Sequence, residues 1–147
     1  MTYFWPAPIS YLSAMTAPFN YVMLIDDDED DREIFLTVIK ENASSVVCNV
    51  AENGREALDK LTHEFIKPDL IFLDLNMPRM NGREFLREIK KFDGLRDIPV
   101  IILSTSSDKE TIAETRKLGA QHFISKPDKF SSWEALLRQA LDNFVDS

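Results

Sequence analysis

Residues 70–82 read LIFLDLNMPRMNG, an apolar run that ends on a single carboxylate, Asp74, and passes at once into turn-forming residues. An unbroken apolar run of this length is typical of a strand that is covered on both faces of a parallel sheet. Pro78 restricts the backbone of the following loop, Asn81 is a good helix cap, and Gly82 permits a close turn. The stretch therefore predicts a buried strand, a sharp turn and a helix. It also raises a question, because a carboxylate beside a buried strand loses water that other groups must replace.

Four further segments have the length and composition of strands. In chain order, and with the stretch already described included, the five segments are YVMLI at 21–25, SVVCNVA at 45–51, DLIFLD at 69–74, IPVIILS at 98–104 and QHFIS at 121–125. The first, third and fourth along the chain are continuously apolar, which favours burial on both faces of the sheet.

The segments between these strands carry apolar residues at helical spacing. The stripes are Ile34, Phe35, Val38 and Ile39; Ala57, Leu58, Leu61 and Phe65; and Phe85, Leu86, Ile89 and Phe92. The weakest helix, from Thr111 to Leu118, has only Ile112, Ala113, Thr115 and Leu118 for a small buried face, whereas the last has Trp133, Leu136, Leu137, Ala140, Leu141 and Phe144 behind a Ser131–Glu134 capping box. Five strand and helix pairs with short connections predict an α/β fold, an open parallel sheet with helices on both faces.

The composition predicts one globular domain. A chain of 147 residues with 44% hydrophobic and 29% charged side chains is ordinary for this class. The formal net charge of −8 argues against direct binding to nucleic acid or to an anionic membrane, because both attract basic surfaces. Cys48 is the one cysteine, so no internal disulfide can form, and a reducing cytoplasm fits.

Residues 1–20 differ from the rest of the chain. They contain no charged side chain, three prolines and several aromatic residues, without a sustained period. The prolines interrupt any continuous apolar core that a signal peptide would need. We expect an irregular extension at 1–20 ahead of one domain at 21–147. Two alternatives stay open: that Met15 is the natural start, and that the aromatic residues dock on a partner or a second copy.

Polar side chains stand at the carboxyl ends of four predicted strands. Asp26 and Asp27 follow the first, Asp74 ends the third, Ser104 ends the fourth, and Lys126 follows the fifth. In open parallel sheets a ligand binds beyond these ends, close to the point where the strand order reverses. The sequence therefore predicts that carboxylates, a hydroxyl and an ammonium share one crevice.

A divalent cation would resolve the repulsion in such a crevice. Two carboxylates about 4 Å apart repel by roughly 4 kcal/mol at an effective dielectric constant of about 20. Oxygen ligands suit Mg²⁺ or Mn²⁺, and no Cys/His spacing argues for zinc. The ordinary alternative for acidic runs is a solvated helix N-terminus, and Glu29, Asp30 and Asp31 are assigned to that role alone. Taken singly, Ser104 would be a turn residue and Lys126 a surface lysine; their joint occurrence favours a functional site.

From Tyr21 to Phe144 the chain resembles the receiver domains of two-component response regulators. The motifs that carry the resemblance are the acidic pair Asp26 and Asp27, the LDLNMPRMNG around Asp74, the hydroxyl of Ser104, and the KP at Lys126. The resemblance implies a flavodoxin-like, doubly wound five-stranded parallel sheet of order 2-1-3-4-5 with five helices.

The resemblance also implies a role for each matching residue. Asp74 would accept a phosphoryl group, Ser104 would hydrogen-bond one phosphoryl oxygen, and Lys126 would neutralise another. Asp26, Asp27 and Asp74, with the backbone carbonyl of Asn76, would hold Mg²⁺, with Mn²⁺ as a substitute. Ser104 and the fifth-strand aromatic residue Phe123 would form the switch that couples phosphorylation to the surface.

The resemblance implies a signalling protein rather than an enzyme, apart from Mg²⁺-dependent self-phosphorylation and autodephosphorylation. A sensor histidine kinase or histidine phosphotransfer protein would donate the phosphoryl group, and an unidentified protein target or a second copy in a homodimer would receive the signal. Because the sequence stops soon after Phe144, we expect a stand-alone, single-domain receiver.

Other classes of protein use parts of the same pattern. The main alternative is a constitutive receiver-like interaction module that is never phosphorylated. A dehalogenase-type phosphohydrolase would need a second acid where Asn76 stands, and a flavodoxin-like cofactor binder would need a phosphate-binding loop where the acidic residues after the first strand stand.

Overall fold

The computed structural model of the chain describes residues 20–42, 45–64 and 66–126, together with Ser132 and Ala135. The elements in these ranges are β1 (Tyr21–Ile25), α1 (Glu29–Asn42), β2 (Val47–Ala51), α2 (Gly54–Thr62), β3 (Leu70–Asp74), α3 (Gly82–Ile89), β4 (Val100–Ser104), α4 (Lys109–Lys117) and β5 (His122–Ser125). The predicted extension, apart from Asn20, lies outside the described residues. So do Phe65 of the second predicted stripe and the predicted last helix with its capping box, apart from Ser132 and Ala135.

All five strands are parallel and lie in the order β2-β1-β3-β4-β5. This confirms the predicted flavodoxin-like fold, with four helices among the described residues. The order reverses at β1, so that its two neighbours, β2 and β3, are reached in opposite directions. The carboxyl ends of β1 and β3 therefore form the edge at which such folds bind ligands.

Side chains of each strand alternate between two hydrophobic layers. Ile71 and Leu73 of β3 belong to the layer packed against α2 and α3, whereas Leu70 and Phe72 belong to the layer packed against α1. On the α1 side, the rings of Phe35 and Phe72 meet edge to face with centroids 4.9 Å apart. The alternation that fills both layers also decides which strand-end side chains share a face.

Two details of the predicted core are wrong. Phe92 lies beyond the end of α3 and is 41% exposed. The helix has ended before it, so helical spacing no longer directs its side chain inward. In α4 the buried residues are Thr111 and Thr115, while Ala113 is exposed. The Thr115 hydroxyl donates to the carbonyl of Thr111 at 3.0 Å, which allows a polar residue to face the core.

None of the described helices is long and apolar enough to cross a membrane. The described strands match the predicted segments but begin one or two residues later in four of the five cases.

His122 is buried in β5, and burial lowers the pKa of its imidazole to about 4. A base with a lowered pKa in the folded state binds fewer protons than the unfolded chain between the two pKa values, so the protein loses stability as the pH falls from about 6.5 to about 4. We expect His122 to account for roughly 3 kcal/mol of that loss. His122→Gln should therefore flatten the decline in unfolding free energy, measured by urea titration across this range.

His63 offers the matched control, because its side chain is 79% exposed. His63→Gln should leave the decline as it is in the wild-type protein, since its side chain stays in water in both states. An equally steep acid decline in His122→Gln would contradict the assignment of this loss to His122.

Candidate functional site

The alternation along the strands brings three of the predicted site residues to one face. Asp26, Asp74 and Lys126 continue the series of side chains that point towards α1 in β1, β3 and β5. The amide of Lys126 donates to the carbonyl of Ser104 at 2.8 Å, which carries the β4–β5 pairing one residue past the strand. The backbone thus delivers an ammonium from the fifth strand to the carboxylates at the ends of the first and third.

Lys126 is held by carboxylates on two sides. Its Nζ lies 2.8 Å from Oδ2 of Asp26, 2.8 Å from Oδ2 of Asp31 and 3.8 Å from Oδ2 of Asp74. The lysine side chain is only 7% exposed. Burial disfavours a charged amine, but the carboxylates of Asp26 and Asp74 outweigh that effect, and the pKa of Lys126 is raised above its usual value. The ammonium therefore stays charged.

The acidic residues at the end of the sheet form a compact group. Asp26, Asp27 and Asp74 each offer a carboxylate oxygen, and these oxygens lie within 4.8 Å of one another. Asp26 and Asp74 are buried, whereas Asp27 is exposed. The amide of Asp28 donates to Oδ1 of Asp26 at 3.0 Å, which fixes the buried carboxylate in place.

Burial strongly affects how Asp26 and Asp74 titrate. Desolvation raises the pKa of Asp74 to about 7, against the opposing attraction of Lys126, and the charge of Asp26 raises it further. Desolvation likewise raises the pKa of Asp26, although Lys126 lowers it in part. One ammonium therefore does not compensate this group of carboxylates fully.

These residues fit a hard divalent cation. The donors are all oxygen atoms, and they are close enough together for a single ion. Their combined negative charge exceeds the single positive charge of Lys126. Mg²⁺ prefers such ligands and keeps several of its waters, which the exposed side of Asp27 permits. Asn76, the remaining predicted ligand, is exposed, and its backbone N–H donates to Oδ1 of Asp74 at 3.4 Å. This contact places its backbone at the edge of the same group.

Ser104 is fully buried at the end of β4, one residue past the partner of Asp74 in the sheet. Its Oγ accepts a hydrogen bond from the amide of Ser106 at 3.1 Å. The loop after β4 thus orients the hydroxyl oxygen, while the hydroxyl hydrogen remains available as a donor. Phe123, which pairs with Ile102 in β5, is fully buried and belongs to the hydrophobic layer on the α2 and α3 side.

The loop after Asp74 is strained and tightly docked. Arg79 and Met80 have φ angles of 52° and 67°, which are unfavourable for residues other than glycine. The carbonyl of Met80 accepts a hydrogen bond from the amide of Gly54 at 3.1 Å, so the start of α2 holds the strained turn. Asn81 then caps α3 in a reciprocal capping box with Glu84, as its residue type predicted.

Two functional contacts are not foreseen in the sequence. Asp31 was assigned to the N-terminus of α1 alone, but its carboxylate binds Lys126 directly. Arg32 donates through Nη1 to the carbonyl of Asp26 at 2.9 Å and so holds the end of β1. Both contacts could have been predicted from the positions of the two residues in the sequence, because both lie in the first turn of the helix that covers the face of Asp26 and Asp74.

Comparison with known proteins gives consistent matches. The family model described as response regulator receiver domain matches residues 22–138. Two-component response regulator ARR17 of Arabidopsis thaliana is 36% identical over 138 residues, which are 86% of this chain and 88% of that protein. Protein-glutamate methylesterase/protein-glutamine glutaminase of Treponema pallidum (strain Nichols) is 41% identical over 128 residues, 85% of this chain and 30% of that protein.

Among solved structures, the phosphorylated cyanobacterial phytochrome response regulator RcpA is similar with a TM-score of 0.80 at 27% identity, over 86% of this chain and 94% of that one. The chain spans 30%, 28% and 51% of the length of three of the curated relatives that it matches.

Proposed function

The chain belongs to the response regulator receiver domains, and on that premise we propose that Asp74 accepts a phosphoryl group from a histidine kinase or histidine phosphotransfer protein. The observation that carries the proposal is the convergence of Asp74 with two further carboxylates and the buried ammonium of Lys126 at one edge of the sheet. The carboxylate of Asp74 therefore has two further carboxylates, which could hold a cation, and one ammonium, which could bind a phosphoryl oxygen, beside it.

The transfer exchanges one bond to phosphorus for another. A carboxylate oxygen of Asp74 attacks the phosphorus of a phosphohistidine, the P–O bond forms, and the P–N bond breaks with its electron pair remaining on the imidazole, which takes up a proton from solvent. Catalysis of such a transfer is mostly positioning and charge stabilisation. Lys126 would bind one phosphoryl oxygen and the hydroxyl of Ser104 would donate to another.

Asp26, Asp27 and Asp74, with the backbone carbonyl of Asn76, would hold Mg²⁺, and Mn²⁺ would fit the same oxygen donors. A cation bound there would neutralise negative charge on the phosphoryl oxygens. Its binding requires these carboxylates to be deprotonated, so the raised pKa of Asp74 makes metal binding weaker in acid.

The signal would be altered protein binding rather than a chemical reaction on a substrate. The match over 88% of ARR17 supports a receiver that works without an attached effector domain. Ser104, drawn towards the phosphoryl group, would change the packing around Phe123 and so the surface near α4. The partners would be the donor kinase or phosphotransfer protein and either a target protein or a second copy of the chain. The protein would bind neither nucleic acid nor a membrane, and it would act in the cytoplasm.

Intact mass after incubation with Mg²⁺ and acetyl phosphate tests this function. We expect a phosphoryl-sized increase in the wild-type protein, and complete loss of it in Asp74→Asn, because no carboxylate is left to form the acyl phosphate. Asp59→Asn is the control, since Asp59 is an exposed carboxylate on α2. No increase in a wild-type protein shown to bind Mg²⁺ would favour the constitutive interaction module instead.

A further inference from the structure

Lys126 forms its hydrogen bonds with carboxylates other than that of Asp74, the proposed phosphoacceptor. Its Nζ makes hydrogen bonds of 2.8 Å to Asp26 and to Asp31, whereas Oδ2 of Asp74 lies at 3.8 Å, beyond hydrogen-bonding distance. Asp26 follows β1, which β3 and β4 separate from β5 in the sheet, whereas Asp31 comes from α1, 95 residues distant in the chain. The ammonium is thus held partly by a residue outside the predicted metal ligands.

Asp31 and Asp26 differ in how easily they can give up the lysine. The side chain of Asp26 is fully buried, so its carboxylate would lose its cation without gaining water. The side chain of Asp31 is 21% exposed and stands in the first turn of α1, where water and the helix N-terminus can both support its charge. Asp31 is therefore the partner that Lys126 can leave at the lower cost.

We propose that Asp31 is a positioning residue that holds Lys126 back from Asp74 and so opposes the binding of a phosphoryl group there. The inference rests on the proposed function of Asp74. An anionic group on Asp74 attracts Lys126, and the ammonium can approach it only by weakening its bond to Asp31. The charge of Asp31 also repels the same group. Both effects have the same sign, so neutralising Asp31 should strengthen anion binding.

Beryllofluoride, a tetrahedral anion that binds carboxylates as phosphoryl groups do, is the probe. We expect Asp31→Asn to bind it, at saturating Mg²⁺, roughly threefold to fivefold more tightly than the wild-type protein, the upper part of the range for one partly exposed ion pair. Fluorine NMR of the bound anion measures the affinity. A purely structural role for Asp31 would instead loosen the site and weaken binding.

Two further variants separate positioning from net charge. Asp30→Asn removes the same charge from the same helical turn, but Asp30 is exposed. The affinity of this variant for beryllofluoride should therefore stay within about twofold of that of the wild-type protein. Asp31→Glu keeps a carboxylate that can bind Lys126 and should restore the weaker, wild-type affinity. Magnesium affinity and thermal stability, measured for each variant, show that the site and the fold remain intact.

The outcomes distinguish the inference from the function on which it rests. Unchanged or weaker binding in Asp31→Asn, beside a wild-type protein that binds the anion, would overturn the positioning role and leave the function of Asp74 standing. An equal gain in Asp30→Asn would also overturn it, because net charge would then explain the effect. A wild-type protein that binds Mg²⁺ but not the anion would overturn the phosphoacceptor function, and the inference with it.

Discussion

Replacing Lys126 with methionine is expected to lower the free energy of unfolding by about 3 kcal/mol at a pH of about 8 in the absence of metal, at the lower end of the range for breaking a buried ion pair. The lysine is the cation that Asp26, Asp31 and Asp74 share, and its own side chain is 7% exposed. Without it, buried carboxylates would face one another with no compensating charge, which is costlier than the pair itself is stabilising.

The cost of this substitution should depend on pH. The pKa values of Asp26 and Asp74 are already raised, and Lys126 is the main group that lowers them. Removing it raises both further, so the folded variant binds more protons than its unfolded chain and regains stability as the pH falls. At a pH of about 5 we expect a deficit of less than about 1 kcal/mol. Added Mg²⁺ should restore part of the loss at high pH.

Lys91 provides the control for this experiment. Its Nζ lies 2.7 Å from Oε2 of Glu88, a distance like that of the Lys126 pairs, but its side chain is 67% exposed. Exposed pairs contribute about 0–1 kcal/mol, so Lys91→Met should have little effect. Urea unfolding of both variants, at both pH values and with and without Mg²⁺, measures the difference. Equal losses in the two variants would show that burial of the carboxylates is not what makes Lys126 important.

Gly82→Ala is expected to destabilise the fold by about 3 kcal/mol, the upper range for inserting a methyl group into a packed site. A Cβ on Gly82 would lie 2.6 Å from the carbonyl oxygen of Asp74 and 2.7 Å from the Cα of Leu75. Both are backbone atoms that cannot rotate away. The amide of Gly82 also donates to the carbonyl of Leu75 at 3.0 Å, so the start of α3 is fastened to the end of β3.

The alanine would bring one compensating gain. Alanine favours a helix over glycine by about 1 kcal/mol, which is smaller than the expected clash. Relief of the clash would require α3 to move away from β3 or the backbone of Asp74 and Leu75 to shift, and either movement would disturb the end of β3. We therefore expect slower phosphorylation by acetyl phosphate in any Gly82→Ala protein that folds.

Gly94→Ala is the matched control, because a Cβ at Gly94 would meet no atom within 4 Å. Its unfolding free energy should stay within about 0.5 kcal/mol of the wild type. Thermal or urea unfolding of the two alanine variants, with the phosphorylation rate of each, tests the close approach. A Gly82→Ala protein as stable and as rapidly phosphorylated as Gly94→Ala would show that the start of α3 can shift freely.

Much of the site could be predicted because it depends on patterns that are local in the sequence. Apolar runs marked the strands, and the polar residues directly after them had to gather at one edge of a parallel sheet. That reasoning identified Asp26, Asp27, Asp74 and Lys126, and the described residues place all four together. It was less reliable where a helix ended, as at Phe92, because helix ends depend on how the following loop packs.

The sequence by itself determined the class of fold, the positions of the strand ends and the residue types of the site, because burial periodicity and strand length are properties of short segments. Only the tertiary structure decided that Lys126 pairs with Asp31 rather than closely with Asp74, and that Gly82 lies against the backbone of Asp74. An ammonium chooses among several carboxylates by distances of about an ångström, and those distances are set by how α1 and α3 pack on the sheet.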